Sequence, residues 1–257
     1  MRKFLIAGNW KMNKNYDEAL QLARAIQQRA VNEKKINIGV FVPAPYLREM
    51  SLESPDLIVG AQNIYWEQYG AFTGEISPPM LRSLGISWTL IGHSERRALF
   101  GETDEDVNRK TVAALKHCFF PIVCVGETLS QREKKTTLDI IGKQVKELFY
   151  EIPADMARSV TVAYEPVWAI GTGKTATPDD AEEVHAYIRM IITSLYGREI
   201  SDEVRILYGG SVKPSNAASL LKMRNVDGAL IGGASLNKED FISICDTAVS
   251  IDKREGK

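Results

Sequence analysis

Asn9 and Lys11, His93 and Glu165 share a place in the pattern. Each closes or directly follows a short run of apolar, β-branched residues: FLIAGN from Phe4, WTLIGH from Trp88 and VTVAYE from Val160. His and Glu exchange protons near neutral pH, and Lys and Asn hold negative charge, so these types are suited to proton transfer beside an anion. Similar runs end in Gln62-Asn63, Glu127, Gly209-Gly210-Ser211 and Gly232-Gly233. Taken singly, each has a plainer reading. A histidine is often a hydrogen-bonded structural residue, a lysine a solvated charge, a glycine pair a turn. Glu165 is harder to explain that way, because a carboxylate closing an apolar strand and fixed by Pro166 is costly to bury without a purpose. The glycine runs allow close backbone approach to an anion. A phosphate on a small substrate is the natural ligand.

The stretch WAIGTGKTATP, Trp168 to Pro178, looks like a nucleotide-phosphate loop. That motif needs a glycine five positions before Gly173. Trp168 stands there instead, and the nucleotide reading fails.

Elements of two kinds must position these residues. Apolar runs begin at Phe4, Ile36, Leu57, Trp88, Pro121, Val160, Val204 and Val226, each too continuous for a half-exposed strand. Between them lie helical patterns, such as Tyr16 to Ala30 and Asp179 to Tyr196. Thr177-Pro178-Asp179-Asp180 supplies an N-cap, an early proline and two first-turn carboxylates. Lys213-Pro214-Ser215-Asn216 is a weaker version of that start. This alternation, with no Ser/Gly-rich linker, predicts a closed (β/α)8 barrel of the α/β class, a single domain over residues 1–257. Parallel barrels carry their reacting groups at the carboxyl ends of the strands, where the polar residues above gather.

Composition narrows the function. A chain of 257 residues, 44% hydrophobic, buries a full-sized core. With 32 Lys and Arg against 33 Asp and Glu, scattered rather than striped, a nucleic-acid partner is not expected. The first apolar run is shorter than the ~7–15 residues of a signal peptide, and no stretch approaches the ~20 of a membrane span. A cytoplasmic protein without a membrane partner is expected. Cys118, Cys124 and Cys245 suggest neither a disulfide framework nor a metal site.

Five ordered motifs, GNWKMN at Gly8, IGHSERR at Ile91, AYEPVWAIGTGKTA at Ala163, YGGSV at Tyr208 and DGALIGGASL at Asp227, resemble the triosephosphate isomerase family across nearly the whole chain. The resemblance implies a TIM barrel and cofactor-free interconversion of D-glyceraldehyde 3-phosphate and dihydroxyacetone phosphate through an enediolate, in glycolysis and gluconeogenesis. It makes Glu165 the base and His93 the electrophile, with Lys11 and Asn9 at the oxyanion and Glu95 an accessory carboxylate near Lys11. Phosphate falls to Gly171, Ser211, Gly232 and Gly233. A closing lid runs through Pro166, Val167, Trp168, Ala169, Ile170, Gly171, Thr172, Gly173, Lys174, Thr175 and Ala176, with Lys174 a hinge residue. The aromatic-rich loop from Tyr65 to Ser77 is expected at a homodimer interface, Thr73 reaching toward the partner's active site beside its Met12. Two other readings are a barrel acting on a different phosphosugar and a catalytically silent phosphate-binding barrel. The first would not need the His93 and Glu165 pair with this lid. The second would not need to keep Lys11, His93 and Glu165.

Overall fold

Continuous apolar runs are stable as strands only when both faces are covered, and a closed parallel barrel ringed by helices covers both. In the computed structural model, which describes residues 2–169 and 176–251, the eight runs form β1 (Leu5–Asn9), β2 (Asn37–Val42), β3 (Ile58–Ala61), β4 (Trp88–Ile91), β5 (Phe120–Val125), β6 (Thr161–Tyr164), β7 (Arg205–Tyr208) and β8 (Gly228–Ile231). They pair in sequence order, all parallel, and β1 closes on β8 from Leu5↔Gly228 to Gly8↔Ile231.

The helices are α1 (Tyr16–Ala30), α2 (Leu47–Glu53), α3 (Pro78–Ser83), α4 (Ser94–Phe100), α5 (Asp104–Lys116), α6 (Leu129–Glu133), α7 (Thr137–Leu148), α8 (Ala154–Ala157), α9 (Pro178–Ser201), α10 (Pro214–Leu221) and α11 (Lys238–Ser250). Their starts follow side-chain chemistry. Asn15 caps α1 and Thr177 caps α9, each in a reciprocal capping box, with Glu18 and Asp180 respectively. The helical pattern read to Tyr196 ends for a reason: Gly197, at φ 82°, breaks α9.

Strand periodicity sorts the core into two layers. Leu5, Ala7, Phe41, Leu90, Ile122, Cys124, Ala163, Leu207 and Leu230 fill the barrel interior. Their neighbours Ile6, Val40, Ile91, Val123, Val162 and Ile206 face outward into the larger cluster with Ile26, Val145, Ile188 and Ile244 of the helices. Burying one such side chain contributes roughly 1.5–3 kcal/mol. The same period of two places the chemistry. Leu5 and Ala7 are followed by Asn9, and Ala163 by Glu165, so the residue after the last inward apolar side chain lies at the barrel mouth. Among the described residues, no helix is long and apolar enough to cross a membrane.

Candidate active site

Glu165 follows β6 and is only 2% exposed. Its backbone N–H donates to the Val125 carbonyl at 2.7 Å. One carboxylate oxygen, Oε2, accepts from the backbone N–H of Ser94 at 2.8 Å. The other, Oε1, lies 3.0 Å from Nε2 of His93. Burial alone would raise the Glu165 pKa, but His93 and the Ser94 donors outweigh it and hold the pKa below the usual carboxylate range. Glu165 is therefore an anion at neutral pH.

Two glycines make room for Glu165, one for its main chain and one for its side chain. A Cβ on Gly126 would fall 1.9 Å from the Glu165 carbonyl oxygen, and one on Gly209 would fall 2.8 Å from its Cγ. Gly126 is the residue that sequence reasoning passed over. It sits within the β5 run before Glu127, and only its packing against the next strand gives it a purpose.

His93 follows β4 and caps α4, its Nδ1 accepting from the backbone N–H of Glu95 at 3.2 Å. That bond leaves the proton of the neutral ring on Nε2, which points at Glu165. A second proton on Nδ1 would break the cap and place a cation at the positive end of a helix. Burial lowers the His93 pKa and Lys11 lowers it too, whereas Glu165 raises it, and with Glu165 alongside the balance is upward. Withdrawing Glu165 leaves burial, the largest influence, and Lys11 opposed only by Glu95, which favours the neutral imidazole as a hydrogen-bond donor.

Lys11 has φ 51°, unusual for a residue with a Cβ, and its neighbours fix it there. Its N–H donates to Asn9 Oδ1 at 3.0 Å, and Gln62 Nε2 donates to its carbonyl at 2.8 Å and to that of Phe41 at 3.0 Å. Nζ of Lys11 pairs with Glu95 Oε1 at 2.5 Å. Gln62, a strand-end residue in the sequence, thus acts on the loop that aims Lys11.

These groups meet in one cavity of about 640 Å³, lined by Asn9, Lys11, His93 and Glu165 on one side and by Gly209 to Val212 and Gly232 to Ala234 on the other. Ser211, Gly232 and Gly233 therefore share the space with the titratable residues. In front of Gly232 a Cβ would meet only the Lys11 side chain, at 3.5 Å, and in front of Gly233 nothing within 4 Å. The wall leaves room for an anion against the main chain.

The described part of the expected lid rests on Glu127. Trp168 Nε1 donates to Glu127 Oε1 at 2.9 Å, Tyr164 donates to the same oxygen at 3.2 Å, and the Arg132 guanidinium lies 4.5 Å from the Trp168 ring centre. Glu127 is fully buried, so this strand-end carboxylate serves Trp168 and Tyr164 rather than the cavity. Of the expected lid, Pro166, Val167, Trp168 and Ala169 precede the undescribed residues, and Ala176 follows them, next to the Thr177 cap. Ile170, Gly171, Thr172, Gly173, Lys174 and Thr175 lie outside the described residues.

The loop from Tyr65 to Ser77 packs on itself, Tyr65 stacking on Trp66 at 4.1 Å and lying 4.8 Å from Phe72. Its outer side is bare: Tyr69 is 85% exposed, and Thr73 is exposed as well. Met12, beside Lys11, is 96% exposed.

A family model described as triosephosphate isomerase matches residues 4–248. The chain is similar to the triosephosphate isomerase of Alkaliphilus oremlandii, 50% identical over 246 residues that cover 95% of this chain and 99% of that one. It is likewise similar to that of Carboxydothermus hydrogenoformans, 50% identical over 95% of this chain and 98% of the other. The protein of the same name from Acetivibrio thermocellus is 49% identical, over 95% and 97%.

Proposed function

Because the chain belongs to the triosephosphate isomerase family and so interconverts D-glyceraldehyde 3-phosphate and dihydroxyacetone phosphate, we propose that Glu165, His93 and Lys11 carry out that reaction in the cavity described above. Glu165 takes a proton from the carbon beside the substrate carbonyl. Negative charge then develops on the carbonyl oxygen, where the Nε2–H of His93 and the ammonium of Lys11 stabilise it, with Asn9 beside them. Glu165 returns the proton to the neighbouring carbon as the enediolate collapses, while the hydroxyl proton passes from one enediolate oxygen to the other beside His93, so electrons and protons balance within the substrate.

The observation that carries this reading is the contact between Glu165 and His93. While it holds, both groups are satisfied by each other and by Ser94, and Glu165 is a weak base. Turning toward a substrate carbon removes the bonds that depress its pKa and leaves burial, which raises it. The base strengthens as it reaches its target, and the imidazole left behind favours the neutral donor form. Ser211, Gly232 and Gly233, with Gly171 of the lid, hold the phosphate. The lid from Pro166 to Ala176 excludes water and protects the enediolate. Glu95 is an accessory group that orients Lys11.

The chain works as a homodimer, the Tyr65 to Ser77 loop inserting into the partner near its Met12. The exposure of Tyr69 and Met12 supports this, since large apolar side chains gathered at a surface mark interfaces. Three free cysteines suit the reducing cytoplasm, the compartment of glycolysis and gluconeogenesis.

Turnover of glyceraldehyde 3-phosphate, coupled through glycerol-3-phosphate dehydrogenase to loss of NADH, tests the assignment. Native protein should turn over fast, and Glu165→Gln should lose at least the ~10²–10⁴-fold typical of a general base while keeping its fold. Near-native turnover in the variant would remove Glu165 from the chemistry.

A further inference from the structure

At the end of the barrel opposite the catalytic residues, where the strands begin, lies a cleft of about 1160 Å³. Arg2, just before β1, and Asp227, just before β8, line its floor. Arg189 and Arg198 of α9 and Lys222 and Arg224 after α10 form its sides. Among the charged residues of this lining, five cations face two carboxylates, Asp202 and Asp227, in a chain whose net charge is −1. The positive field is therefore local and does not reflect a generally basic protein.

The carboxylates are already committed. Asp227 Oδ1 takes Arg2 Nε at 2.8 Å, its Oδ2 takes Arg189 Nη2 at 2.5 Å, and the backbone N–H of Ile206 donates to Oδ2 at 3.0 Å. Asp202 lies 3.6 Å from Arg2 and 3.5 Å from Arg198. One buried carboxylate thus serves two guanidiniums; Nη1 of Arg189 also donates to the Ser201 and Val204 carbonyls, and its buried Nε has no hydrogen-bond partner. Burial lowers the Arg189 pKa, and Arg2 adds to that effect by repulsion. An anion in the cleft would relieve this repulsion.

We propose that this cleft binds an oligophosphate, an anion of two or more linked phosphoryl groups, held between the buried pair Arg2 and Arg189 and the outer cations Arg198, Lys222 and Arg224. The outer guanidiniums can match phosphate oxygens in paired hydrogen bonds, Arg2 and Arg189 add charge and single donors at the floor, and this spread of cations suits several linked phosphoryl groups better than one. The site stands on its own chemistry and does not depend on the residues assigned to isomerisation.

Calorimetric titration of the full chain with sodium tripolyphosphate, at low ionic strength and without phosphate buffer, tests it. The catalytic cavity also takes phosphate, so inhibition of turnover by the same compound is measured in parallel. A saturable site is expected whose affinity falls by at least about tenfold in Lys222→Glu/Arg224→Glu, while kcat, KM and the inhibition constant stay native. Arg198→Glu, a single exposed substitution, should weaken the same site and serves if the double variant folds poorly. Binding unchanged in these variants and displaced by the triose phosphate would place the anion only in the catalytic cavity. A non-saturating isotherm would mean diffuse surface attraction. Either result overturns the proposal.

Discussion

Glu165 Oε1 and His93 Nε2 rest 3.0 Å apart, with Glu165 Oε2 also held by the backbone N–H of Ser94. The two groups with the strongest claim to proton chemistry thus occupy each other. Neither is in its working electrostatic state. The carboxylate is too well solvated by hydrogen bonds to be a strong base, and the imidazole is drawn toward protonation by the adjacent charge. In the proposed reaction, separating them corrects both at once, which would couple activation of the base to preparation of the electrophile.

Breaking that pair from the histidine side should move the acid limb of activity. Burial raises the Glu165 pKa and His93 is the largest influence opposing it. In His93→Gln the opposition weakens, so Glu165 protonates at higher pH. The acid limb of kcat/KM should shift upward relative to native protein, alongside a lower plateau. A limb at the native position in a folded variant would show that His93 does not set the charge state of Glu165.

Space around the base is as constrained as its charge. A Cβ at Gly209 would sit 2.8 Å from Glu165 Cγ, closer than such atoms approach in real proteins. Gly209→Ala should therefore displace the carboxylate while leaving its chemistry intact. Misplacing a catalytic group by about 1 Å costs on the order of 10²-fold. The loss should appear mainly in kcat, with KM changed little, because the new Cβ would meet Glu165 and the Tyr164 carbonyl rather than Ser211, Gly232 or Gly233. An equal rise in KM with kcat preserved would instead place Gly209 in substrate binding.

The strands and the inward polar residues were legible because parallel burial writes itself as apolar runs, and the period of two then extends to Asn9 and Glu165. Thr177 and Asp180 announced α9 through capping chemistry that acts within four residues. What the chain did not disclose depends on packing between distant segments. Gly126 looks like any strand-end glycine until Glu165 is laid against it. Gln62 was visible as a polar strand end, but its grip on the Lys11 carbonyl links residues 51 apart. Glu127 belongs to the same pattern of strand ends as Glu165, yet its carboxylate goes to Trp168 and Tyr164. Position marked both residues, and only the neighbours separated their tasks.

Asp180 couples stability to pH at the start of α9. Burial raises its pKa, but hydrogen bonds from Thr177 and from Arg132, the latter at 2.7 Å, together outweigh it and bring the pKa below the ordinary Asp value. A depressed folded pKa stabilises the native state above the unfolded value of about 3.9, and the benefit disappears as pH falls through the folded value. Asp180→Asn should cost about 1 kcal/mol at pH 7, the scale of one capping interaction on an exposed helix start. Thermal unfolding at pH 7, 5 and 3.5 should show a gap that narrows only at the acid end. A constant gap would mean that geometry alone, and not the charge, stabilises this helix start.

Assembly supplies the last test, because the exposed face around Met12 adjoins the Lys11 loop. A hollow of about 350 Å³ lies there, lined by Asn9, Lys11, Met12, His93, Glu95 and Phe100 among others, so it shares residues with the catalytic cavity. If the partner's Thr73 loop fills it, the partner fixes Lys11 and His93 from behind. Thr73→Glu would then bring a carboxylate toward Glu95 across the interface, and like charges at an interface disfavour association. The expected outcome is a sedimentation mass of two chains for native protein at micromolar concentration and of one for the variant. Turnover per chain should fall with the dimer and recover in part as protein concentration rises. A native mass of one chain with full activity would leave the exposed loop without a partner and the site complete within a single subunit.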